Sequence, residues 1–410
     1  MNYLKIATII LTLASPQVIG QTLTKAQTDF LTKNAKTVCK TDLSQADWNV
    51  LSTNLKDKNI ILLGEFNHGS KEIFQLRISL IKHLHEKLGI NVILFESGIG
   101  ELALADNDKS KMTAAQMIDG LFGPWRTKEF VELMDYVRSQ NISIAGFDVQ
   151  RTGGPFQYFL KDVATKNGID STSYYNLESR YGLIARELND RKAIYDSVKS
   201  KTETLIHDYQ DMQNALQKST TQEKSKDLLL SVATIKNRIR FLSYMLAFVK
   251  DKNLNVRWAA RDSAMADNIN WLMENIYENE KVIVVGHNFH ISKFNENELT
   301  AGEVLSRTHS KEMYSLGFFA GKGSYHDNSG KEVQLQSPDS SSLDIRHIIQ
   351  ALKGSVNYIN MPLGKQKGRE WLDNEITVND TFIDLKNSTK MILSKCFDGL
   401  ILLEKVSPPE

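Results

Sequence analysis

Ile60-Ile61-Leu62-Leu63-Gly64-Glu65-Phe66-Asn67-His68-Gly69 carries the pattern that decides the fold: four large apolar residues, then a glycine, an acid and a histidine. A short apolar run bounded by turn residues reads as a strand buried on both faces. The pattern recurs. Residues 92–95 run into Glu96-Ser97-Gly98, residues 142–145 into Gly146-Phe147-Asp148, and Val282–Val285 into Gly286-His287-Asn288-Phe289-His290. Residues 400–403 form a fifth run and 314–320 a sixth. Between the first two, Lys71–Leu88 places Ile73, Leu76, Leu80 and Leu84 at helical spacing and stops at Gly89; Lys128–Gln140 repeats this before the third. Strands alternating with helices predict an α/β fold, a mainly parallel central sheet flanked by helices.

The middle of the chain differs. From about 174 to 250 glycine is nearly absent, and Leu205, Tyr209, Met212, Leu216 and later Leu228, Val232, Ile235, Ile239, Leu242 and Met245 recur at helical spacing. A long helical hairpin with one break near 218–222 is expected, inserted as a lobe over 173–252 between the two parts of the α/β domain, 21–172 and 253–410. Residues 255–277 predict a helix leading into the fourth run.

In open α/β sheets, ligands bind in the crevice outside the carboxyl ends of the strands. Four successive runs deliver Glu65, Glu96, Asp148 and His287 to those ends, with His68 and His290 three residues beyond the first and last. One acid there is often a helix cap, but four ionisable groups at four strand ends point to a shared polar site. Arg77 falls inside the apolar stripe of its helix, so it needs a carboxylate partner, with Glu65 or Glu96 as candidates, unless it snorkels from the stripe's edge.

The chain has 410 residues, with 50 Lys+Arg against 49 Asp+Glu, a balance that leaves no bulk field for nucleic acid or anionic lipid. A small-molecule substrate is the expected partner. Met1 to Gly20 holds one lysine, a short apolar core and a small terminal residue, the composition of a secretory signal too short to span a membrane. Export, periplasmic or secreted, is therefore expected. Cys39 and Cys396 are the only cysteines. In an oxidising compartment they would either pair or remain two buried thiols.

The ordered set Gly64-Glu65-Phe66-Asn67-His68-Gly69, Glu72, Arg77, Phe95-Glu96-Ser97-Gly98, Gly146-Phe147-Asp148 and Gly286-His287-Asn288-Phe289-His290 resembles the erythromycin esterase family. The closing Asp398-Gly399-Leu400-Ile401 is similar to the family's last strand. The resemblance implies a metal-independent, cofactor-free hydrolase; some members open the lactone of 14-membered macrolide antibiotics and so confer resistance. By position it implies that Glu65, His68, Arg77, Glu96, His287 and His290 serve catalysis. Asp148 and Asn288 are read as substrate-binding.

No Gly-x-Ser-x-Gly elbow occurs, so attack by water is the expected chemistry. Neutral His68 is the candidate base, oriented by Glu65 or Glu96, and His287, His290 or Arg77 the candidate positive charge for the developing oxyanion. A bound metal is the competing reading, disfavoured because His287 and His290 lack helical i,i+4 spacing and an arginine stands near. Hydrolysis of another ester or lactone, or non-catalytic ligand binding in the same crevice, are the alternatives for function. Phe66, Phe122, Trp125 and Phe289 are candidate pocket walls, with Phe122 and Trp125 better read as core.

Overall fold

The structure, a computed structural model, describes residues 23–410 apart from 155, 219–224, 339–341, 362–363 and 380–388. The secretory signal expected over 1–20 lies outside the described residues. Within them no helix is long and apolar enough to cross a membrane.

The strands are, in chain order, β1 Lys36–Cys39, β2 Ile60–Leu63, β3 Val92–Gly98, β4 Ser143–Asp148, β5 Val282–Val285, β6 Met313–His326, β7 Glu332–Gln334, β8 Val356–Asn360, β9 Ile376–Val378, β10 Thr389–Met391 and β11 Gly399–Val406. The main sheet runs β1-β8-β11-β6-β2-β5-β3-β4, with β7 beside β6, while β9 and β10 pair separately. Every neighbouring pair from β11 to β4 is parallel. β8 and β1 join the β11 side antiparallel.

All four residues of β2 and of β5 are buried. Successive side chains point to opposite faces, so both faces of the sheet centre are covered. The helix Lys71–Leu88 buries Ile73, Leu76, Leu80 and Leu84 and ends at Gly89, whose φ of 66° is a left-handed conformation that glycine adopts without a Cβ clash.

The topology explains why distant residues meet. The chain lays down β2, β3 and β4, then returns to insert β5 between β2 and β3. β2, β5, β3 and β4 thus become adjacent, with axes about 4.8 Å apart. Their carboxyl ends bring Glu65, His287, Glu96 and Asp148 to one rim.

The span 173–252 corrects the single-hairpin expectation. It holds most of three helices, Ser171–Asn189, Tyr195–Lys218 and Lys226–Asp251. The unforeseen break lies at Asp190, whose side chain accepts the Lys192 N–H at 2.8 Å and whose carbonyl accepts the Ala193 N–H at 2.9 Å, an aspartate turn. The one break expected, near 218–222, lies past the last residue of the helix Tyr195–Lys218, and 219–222 fall outside the described residues. The lobe is fastened to the helix following β3 by Arg238, which donates to Glu101 on that helix and through Nε to Glu178 Oε1 at 3.1 Å.

Cys39 and Cys396 are both buried free thiols. Cys39 stands opposite Val356, whereas β11 begins after Cys396 with Gly399 opposite Asn360, at the other end of β8. The Cys39 thiol donates to Asp42 O at 2.8 Å and the Cys396 thiol to Phe294 O at 3.2 Å, so each faces a different partner.

Candidate active site

Glu65 leaves β2 fully buried, and its carboxylate organises one half of the site. Oε1 lies 2.7 Å from His68 Nδ1 and accepts the Trp125 indole N–H at 2.8 Å. Oε2 accepts from Arg77. The charge expected on the apolar face of the Lys71–Leu88 helix is therefore a buried ion pair behind the carboxylate. Burial lowers the Arg77 pKa against the opposing pull of Glu65 and Glu96. Asn67 Oδ1 accepts the Gly69 N–H at 3.0 Å and the Ser70 hydroxyl at 2.9 Å, a tight turn that sets the direction of the intervening His68.

Trp125 is core, stacked on Phe130 with centroids 5.5 Å apart, and is also a hydrogen-bond partner of Glu65. Phe122, read from sequence as core, is half-buried with its ring 4.9 Å from that of His68. Ser97 holds it there by accepting the Phe122 N–H at 2.9 Å. Phe66 and Phe289, the other candidate walls, are buried against Tyr325 and His290 respectively. Glu72 serves the C-terminal tail instead: its carboxylate accepts the Ser407 N–H and hydroxyl, each at 2.6 Å.

Glu96 organises the second half together with a residue that sequence reasoning missed. Arg261, on the helix Leu254–Asn275, donates to Glu96 Oε1 at 2.9 Å, to Asp148 Oδ2 at 2.6 Å and Oδ1 at 3.2 Å, and to His290 Nε2 at 3.0 Å. Its neighbour Asp262, also missed, lies 2.8 Å from His290 Nδ1. Burial tends to raise the Glu96 pKa, but His290, Arg261, His68 and the His287 N–H together hold it down at about 2. Burial opposes the Arg261 charge, yet Asp148 and Glu96 raise its pKa further.

His287 bridges the halves. Its backbone N–H donates to Glu96 Oε2 at 2.9 Å, its ring centroid lies 4.9 Å from that of His68, and its Nδ1 accepts the Phe289 N–H at 3.2 Å. Burial and the neighbouring His68 drive its pKa well below the ordinary histidine value, so the ring is neutral. At His290, burial opposes a proton, whereas Asp262 and Glu96 favour one, and the pKa is raised overall. While Arg261 donates to Nε2, that nitrogen is an acceptor and the ring proton sits on Nδ1 facing Asp262.

These contacts revise several assigned roles. His287 is neutral, both nitrogens of His290 face protein partners, and Arg77 is sealed behind Glu65. None of the three offers the substrate a cation in this arrangement. Asp148 and Asn288 were expected to bind substrate. Asp148 is instead taken by Arg261, and the Asn288 amide donates to Phe318 O at 2.9 Å and accepts its N–H at 3.1 Å, stitching the post-β5 turn to β6. Among the described residues, no group of three His, Cys, Asp or Glu side chains is arranged to hold a metal ion. A cavity of about 850 Å³ opens beyond β4, between the loop Gln150–Gly153 and the lobe, where Tyr181, Arg186 and Phe241 line it.

Comparison with known proteins bears on this arrangement. The family described as Erythromycin esterase matches residues 85–406. The putative hydrolase YbfO of Bacillus subtilis (strain 168) is 26% identical, over 92% of this chain and 91% of its own length. The erythromycin esterase type II of Escherichia coli is 24% identical, over 89% of this chain and 93% of its own. A solved structure of a histidine mutant of the erythromycin esterase EreC, in its open conformation, shares the fold with a TM-score of 0.65 at 15% identity, covering 92% of this chain and 98% of that one.

Proposed function

Because the chain belongs to the erythromycin esterase family of hydrolases, we propose that it opens the lactone ring of 14-membered macrolides by adding water, and thereby confers resistance to them. The observation that carries the reading is the Glu65–His68 pair. The carboxylate at Nδ1 fixes the imidazole proton there and leaves Nε2 as the base. Water attacks the carbonyl carbon and gives its proton to Nε2. The carbonyl electrons move to oxygen and then return as the ring C–O bond breaks. The departing alkoxide takes the proton from Nε2, and a carboxylic acid and an alcohol result.

The macrolide assignment is supported by the likeness to the E. coli esterase. Placing the enzyme outside the cytoplasm is part of the proposal and rests on residues 1–20 alone. A macrolide gaining the mass of one water on incubation with the purified protein is the expected result. Esters or smaller lactones opened in its place would retain the hydrolase and discard the drug.

A further inference from the structure

We propose that Arg261 is the cation that meets the substrate carbonyl. This rests on the ester-hydrolase reading for its chemistry and on two independent observations for its geometry. The first is access. The side chains of His68 and Arg261 each keep 11% of their surface exposed, whereas those of Glu65, Arg77, Glu96, Asp148 and His290 keep at most 3% and His287 is fully buried. A group that must touch substrate has to be reachable, and these two are the reachable ionisable groups of the cluster. The second is donor capacity. A guanidinium carries five N–H groups. Nε donates to Asp148, Nη2 to Asp148 and Glu96, and Nη1 to His290, which accounts for four. One N–H on Nη1 remains without a protein partner among the described residues.

The placement suits the task. Glu96 connects the two reachable groups: one oxygen receives Arg261, and the other receives the backbone of His287, whose ring lies against that of His68. The base and the cation thus flank the Glu96–His287 unit. Charged and titratable groups surround Arg261: Glu96 from β3, Asp148 from β4, His290 from the turn after β5, Tyr244 from the lobe, and Arg257 and Asp262 from its own helix. The two carboxylates that Arg261 touches hold it charged and fixed, so it needs no reorientation as negative charge develops. In the step itself Arg261 transfers no proton; it donates a hydrogen bond to the oxygen that receives the carbonyl electron pair.

The test compares wild type, Arg261→Lys and Arg261→Gln. Erythromycin opening is read by mass spectrometry and p-nitrophenyl acetate hydrolysis by colour, with thermal melts to verify folding. Loss of one oxyanion donor typically lowers kcat about 100- to 1,000-fold, and Arg261→Gln should fall in that range with KM nearly unchanged. Arg261→Lys, which keeps the charge and folds if the glutamine variant does not, should recover part of the loss. Binding of p-nitrophenyl methylphosphonate, a tetrahedral anion shaped like the intermediate, is measured by calorimetry in parallel and should weaken about 100-fold in Arg261→Gln. Unchanged kcat in a folded variant, a loss confined to KM, or phosphonate binding that is absent or insensitive to Arg261 would overturn the assignment. Wild type that turns over neither ester yet binds the phosphonate through Arg261 would sink the hydrolase reading and leave the cation in place.

Discussion

Glu65 Oε1 and His68 Nδ1 lie 2.7 Å apart, and the same carboxylate carries the ion pair with buried Arg77 through its other oxygen. Orientation of the proposed base and neutralisation of an interior charge therefore fall on one residue. Two substitutions at this pair should separate. His68→Ala removes a partly accessible ring and should cut turnover about 100- to 10,000-fold with little change in melting temperature. Glu65→Gln should also cut turnover, and in addition cost about 3–5 kcal/mol of stability because Arg77 loses its counterion. Urea denaturation of both variants checks this. Equal stability losses would show that the ion pair is not what Glu65 supplies.

His287 gives the fold an acid sensitivity of known sign. Its folded pKa is depressed, chiefly by burial, so below the unfolded value of 6.5 the unfolded chain binds a proton that the native ring refuses. This contribution is intact above that pH and stability falls as pH drops beneath it. Glu96, lowered from 4.5 to about 2, adds a second loss between those values. His290, whose pKa is raised, works in the opposite sense and contributes below 6.5. Wild type should melt lower at pH 5 than at pH 7, and His287→Gln should show a smaller difference. An identical drop in both would contradict the neutral, buried assignment.

Arg238 joins the lobe to the helix after β3 with both Glu101 and Glu178 as partners. Tyr209 completes the cluster by donating to Glu178 at 2.7 Å. Arg238→Leu leaves two buried carboxylates facing each other and should cost about 3–5 kcal/mol. The loss should appear in chemical denaturation. A variant as stable as wild type would mean that the lobe is held by apolar packing alone.

Gly64 is needed for space. A Cβ there would lie 2.1 Å from Asn288 Oδ1, the atom that accepts the Phe318 N–H. Gly64→Ala should therefore destabilise by about 1–3 kcal/mol through overpacking and displace the adjacent Glu65. A folded, fully active alanine variant would show that this turn tolerates the shift.

Much of this was legible in the residues. Ile60–Leu63 and Val282–Val285 are uninterrupted apolar runs, and both are strands with those bounds. β1, half exposed at the sheet edge, and β8, Val-Asn-Tyr-Ile-Asn, whose apolar run is broken by asparagines, carry no comparable signal. The insertion of β5 between β2 and β3 is a tertiary choice invisible in local pattern, yet it is what makes Glu65 and Glu96 neighbours of His287. Arg261 was discoverable. It sits four residues before Met265 and eight before Ile269, a charge inside an apolar stripe, the same feature that drew attention to Arg77. Asp262 and Trp125 were less so, since a helical aspartate and a core tryptophan look ordinary until their partners are in view.

In the proposed mechanism His68, oriented by Glu65 on a shared rim, activates water against a lactone. The most direct measurement incubates wild type and His68→Ala with erythromycin and a panel of other macrolides and simpler lactones, and follows addition of one water by mass spectrometry. Ring opening by wild type is expected, with a loss of about 100-fold or more in His68→Ala of unchanged stability. Opening at the same rate by both proteins, or no lactone or ester opened by wild type, would contradict it.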